Sequence, residues 1–151
     1  WALLADVLPI ALYLIAYIGI GTRQLLGLSR KRVALVYGAF AALSGLFMLV
    51  VPPTAVGGSQ GYFGAAFTLF GFAFALRRRH PGASHLLGVS ALLFGAALVF
   101  RSVDETLCES LPHGTHWAWH LLNGAVVACS LRAAILLDAE HKAQARLRAS
   151  R

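Results

Sequence analysis

The sequence predicts an all-α protein: a polytopic bundle of transmembrane helices forming a single domain over residues 1–151. Three observations lead there. Of the residues, 58% are hydrophobic and only 13% charged, about half the charge of a soluble domain, and mean hydropathy is +0.70. Five apolar stretches, about 2–20, 33–51, 60–76, 84–100 and 115–137, approach the roughly 17–25 residues that a helix needs to cross a bilayer. No strand-like alternation runs through them, and a helix pairs its own backbone groups inside hydrocarbon.

The first stretch begins at once after Trp1 and contains Asp6, the one acid inside an apolar run. No basic segment or small-residue cleavage site precedes it, so it does not read as a signal peptide. The chain reads as a piece of a longer one, with further helices expected upstream. Arg23, Arg30, Lys31 and Arg32 separate the first stretch from the second, and Pro52-Pro53 breaks the second from the third. Arg77, Arg78 and Arg79 with Pro81-Gly82 divide the third from the fourth. Segment 101–114 carries one arginine against Asp104, Glu105 and Glu109. The fifth stretch contains Arg132 and leads into a basic tail, 138–151, that continues its helix. Gly38/Gly45, Gly64/Gly71 and Gly88/Gly95 recur seven residues apart, which predicts faces of close helix approach.

Basic and uncharged or acidic connections alternate without exception, the positive-inside pattern. The shown N-terminus is therefore expected outside and the C-terminal tail in the cytoplasm. In a soluble protein the net charge of +7 would suggest nucleic acid. Here the inner loops account for it, so the bilayer is the expected partner, with no nucleic acid and no legible protein partner. Cys108 sits in a loop and Cys129 about halfway along the fifth span, ~20 Å deep, so the two should not pair.

That topology sorts the titratable groups. His80 and His85 lie at the inner face, where a solvated turn is expected. Asp6, His116 and His120 share the outer leaflet. His116 and His120 stand four residues apart in Gly114-Thr-His-Trp-Ala-Trp-His-Leu-Leu-Asn123, one helical turn apart on one face, as two ligands of one metal require. The plain alternative is an interfacial belt of His and Trp. A catalytic zinc commonly takes three protein ligands and a water, and His113 is the weaker third candidate. Asp6 suits either a ligand or a general base. Trp119, about 100° from His120 around the helix, is placed to wall a pocket. Arg101 and Asp104, at i and i+3, suit a local salt bridge that orders their loop.

Three segments resemble the alkaline ceramidase family of membrane hydrolases. Ala5-Asp-Val-Leu-Pro-Ile10 is similar to the family's Asp-x-x-Pro helix entry. Phe100-Arg-Ser-Val-Asp-Glu-Thr-Leu-Cys108 is similar to its aromatic-x-x-x-Asp-x-x-x-Cys loop, and His116-Trp-Ala-Trp-His120 carries its His-x-x-Trp-His helix. Their order and separations agree across almost the whole chain. The resemblance implies five spans of a seven-helix bundle, in a superfamily that includes the adiponectin and progestin receptors. It implies zinc held by His116, His120 and a histidine upstream of Trp1, within ~20 residues, a helix length. Asp6 would partner the zinc-bound water, Trp119 would border the substrate, and the reaction would be amide hydrolysis of a ceramide-like membrane lipid. The alternative is a non-catalytic zinc-containing receptor or sensor on the same scaffold.

Overall fold

In a computed structural model, residues 1–108 and 110–150 are described, with side chains except at 2–7, 24 and 25. Five helices follow the five apolar stretches. α1 spans Ala2–Ile20 and contains Pro9; it runs on into a π-helical turn, Gly21–Leu25. There the buried Thr22 hydroxyl donates to the Ile18 carbonyl at 2.6 Å, so its polar group is satisfied without water. α2 spans Arg30–Val50 and stops before Val51, which is extended, as the residue preceding a proline must be. A short 3-10 turn, Gln60–Tyr62, leads into α3, Phe63–Leu76. α4 spans Pro81–Leu107 with Pro81 in its first turn, where the missing N–H costs nothing. α5, His116–Ala149, has 34 residues, ~50 Å of helix against a hydrocarbon core of ~30 Å. Its basic end therefore continues beyond the span.

Among the described residues, α2, α4 and α5 are each long and apolar enough to cross a membrane, while Leu8–Arg23 and Gln60–Leu76 are shorter apolar helices. The chain is accordingly a helical membrane protein.

α4 and α5 form the principal seam, and α3 packs on α4. Ala83, Ala91, Ala97 and Ala133 are completely buried there, beside Leu87, Phe94 and Leu137. Lipid chains are as apolar as leucine, so helices associate through close packing, and small side chains permit it. The glycine pairs do not supply this seam. A methyl group on Gly38, Gly45, Gly71, Gly88 or Gly95 would meet open space; Gly64 is the exception, lying against the Ser44 side chain. Seven-residue spacing marked one face correctly but not which face meets a neighbour.

α1 joins α5 through polar contacts: the Tyr13 hydroxyl lies 2.5 Å from Ser130 Oγ, and Tyr17 donates to the Ser130 carbonyl at 3.0 Å. α2 has no buried residue. It touches α3 through Phe47, stacked on Phe67 and edge-on to Phe63, and α1 through the Tyr37 hydroxyl, which donates to the Ile15 carbonyl. Between α3 and α4, His80 departs from its expected place in a solvated turn. It is half-buried, its Nδ1 is 2.5 Å from Glu140 Oε2, and its ring meets that of His141 edge-on. His85 is exposed, as expected. Cys108 and Cys129 are both free thiols.

Candidate functional site

The start of α5 is built by the end of α4. The Asp104 carboxylate reaches forward, and its Oδ1 accepts the Thr115 backbone N–H at 2.5 Å. The Thr115 hydroxyl donates to the Phe100 carbonyl at 2.7 Å. The first bond satisfies a backbone N–H at the helix start, and the second ties Thr115 to α4. Gly114 makes the approach possible: its φ is +55°, and a Cβ there would come within 2.5 Å of Asp104 Oδ1 and 3.0 Å of Cys108 Sγ. Asp104 lies beyond the apolar stretch 84–100, and the Thr115 backbone N–H holds its carboxyl below the usual carboxylate range.

Helix α5 therefore opens on His116. Its ring and that of His120 meet edge-to-face, with centroids 4.7 Å apart, so the pair expected on one face does lie together. His116 Nδ1 is 3.8 Å from Asp104 Oδ2. His116 is half-exposed and His120 exposed. His113 sits exposed in the preceding loop.

Trp119 is entirely buried behind this face. It packs edge-on to Tyr62 at 5.2 Å and against Phe94 at 6.0 Å. The Arg101 guanidinium lies 5.2 Å from the Trp119 ring and 5.3 Å from that of Tyr62, so the cation is held over two aromatic faces. Further along the helix, Asn123 donates to the Trp119 carbonyl at 2.9 Å. It also borders an apolar cavity of about 200 Å³, shared with Pro9, Ile10 and Tyr13 of α1 and with Phe94 and Val126.

The Asp6 side chain lies outside the described residues. The described part of α1 meets α5 farther along: Tyr13 and Tyr17 reach Ser130, and Pro9 and Ile10 share a cavity with Asn123 and Val126.

Among the described residues, no group of three or more His, Cys, Asp or Glu side chains is arranged to hold a metal ion. His116 and His120 offer two imidazoles, a donor type that suits zinc, and nothing beside them in the described set completes the coordination. Sequence reasoning missed the approach of Asp104 to His116. The available signal was Gly114 directly before the helix start, a residue that lets backbone and carboxylate come close. No protein-family model, curated protein or solved structure matches this chain.

Proposed function

We propose that this chain belongs to a zinc-dependent membrane amidase that hydrolyses ceramide-like lipids to a sphingoid base and a fatty acid. The observation that carries the reading is the His116–His120 pair, 4.7 Å apart between ring centroids, on the helix whose Asn123 borders an apolar cavity. The motif resemblance supplies five spans of a seven-helix bundle and a third histidine on an upstream helix; the alternation of basic and other loops supplies an outside N-terminus with a cytoplasmic tail.

In this reading His116 and His120 hold the metal. Bound zinc supplies Lewis acidity toward an amide carbonyl and lowers the pKa of water toward ~7. Asp6 accepts the proton of the attacking water as its oxygen bonds to the amide carbon. It returns a proton to nitrogen as the C–N bond breaks, so one water is consumed and one amine and one fatty acid leave. The apolar cavity beside Asn123 receives part of a hydrocarbon chain, and Trp119 braces the helix behind the pair.

The test is metal analysis and turnover of a labelled ceramide on the same purified full-length protein. About one zinc per chain, the stoichiometry of a mononuclear catalytic site, together with fatty-acid release, is the expected result. Protein free of zinc overturns the reading; zinc without turnover leaves the receptor or sensor. Topology gives a separate prediction. Thr54 and Arg78 are both exposed in connecting segments, whereas Ser59 is buried and unsuitable for labelling. In a Cys108→Ser background, an impermeant thiol reagent added to intact cells should modify Thr54→Cys and spare Arg78→Cys. The reverse pattern would move the histidine pair to the cytoplasmic leaflet.

A further inference from the structure

We propose that Asp104 is a positioning residue for His116, holding the imidazole with Nδ1 toward the carboxylate and Nε2 turned to the site. The inference rests on the reading of His116 as a metal ligand for its purpose, though not for its geometry. Asp104 uses its two oxygens differently. Oδ1 takes the Thr115 N–H at 2.5 Å, which fixes the carboxylate against the start of α5. Oδ2 lies 3.8 Å from His116 Nδ1, within ion-pair range and beyond a direct hydrogen bond, and in the proposed arrangement the ring turns to close that gap when the site is in use. Gly114 keeps this path clear, since any larger residue there would collide with the same carboxylate.

The chemical consequence is a choice of tautomer. A neutral imidazole carries one proton, and the nitrogen facing a carboxylate keeps it. Nε2 is then the lone-pair nitrogen, already turned away from Asp104. Carboxylates in this position orient metal-binding histidines and raise their basicity, and their loss typically weakens metal affinity ~10–100-fold. Asp104 also caps α5, accepting from the Thr115 backbone N–H and lying against the His116 backbone N–H; the approach of Oδ2 to the His116 ring is a contact beyond these.

The experiment uses full-length protein labelled with ¹⁵N-histidine, in detergent at pH 8, with and without zinc. His116 is assigned by difference against His116→Gln. In zinc-free wild type, the proton is expected on Nδ1 of His116. In Asp104→Asn the amide oxygen can still accept from Thr115, but the charge is gone, and the proton should move toward Nε2, as in free imidazole. Zinc affinity, measured by chelator competition, should fall ~10–100-fold while the metal-free protein keeps its helicity by circular dichroism. A wild-type His116 protonated on Nε2 overturns the inference without recourse to any variant. So does a tautomer, or a zinc affinity, that is the same in Asp104→Asn as in wild type. If the tautomer shifts as expected while neither protein binds zinc, Asp104 does orient His116 and it is the metallohydrolase reading that fails.

Discussion

His120→Ala in the full-length protein is expected to lose bound zinc and ceramide hydrolysis together. The substitution removes one imidazole of a pair whose rings lie 4.7 Å apart, and among the described residues no group of three or more His, Cys, Asp or Glu side chains is arranged to hold a metal in its place. His120 is exposed and outside the α4–α5 core, so the helix itself should form normally; exposed helix positions tolerate alanine well. The measurement is metal content and fatty-acid release on one preparation, with helicity by circular dichroism as the control. Hydrolysis surviving in a zinc-free His120→Ala protein would discard the metallohydrolase.

Asp6→Asn separates the base from the metal. Asparagine keeps the shape of the side chain and one acceptor oxygen, yet it cannot take a proton. Zinc should therefore remain near the wild-type level, while amide hydrolysis falls ~10²-fold or more, the usual contribution of a positioned general base. Unchanged activity would remove Asp6 from the reaction. Loss of zinc in the same variant would make it a ligand.

The elements of the fold were legible because apolar length is a direct physical requirement of crossing hydrocarbon. Prolines and charges then marked most ends: Val51 stops α2 before Pro52, and Pro81 opens α4. What lay beyond the sequence was partnership. A glycine repeat at seven residues looks the same whether its face meets a helix or lipid, and buried alanines at the α4–α5 seam carry no distinctive pattern at all. The histidine pair was legible because spacing within one helix is fixed by its pitch. The contacts of Asp104 with Thr115 and His116, and of His80 with Glu140, join residues 11, 12 and 60 positions apart. They depend on how chain segments return to one another, which local periodicity does not encode.

The bareness of α2 has a consequence for which substitutions it tolerates. A side chain shortened in the α4–α5 seam leaves a void that rigid neighbours cannot refill. A side chain shortened on α2, where Leu35, Leu46 and Leu49 stand exposed, leaves a space that fluid acyl chains occupy at once. Apolar exchanges at these three positions are therefore expected to cost little, while Phe47, packed on Phe63 and Phe67, is expected to resist them.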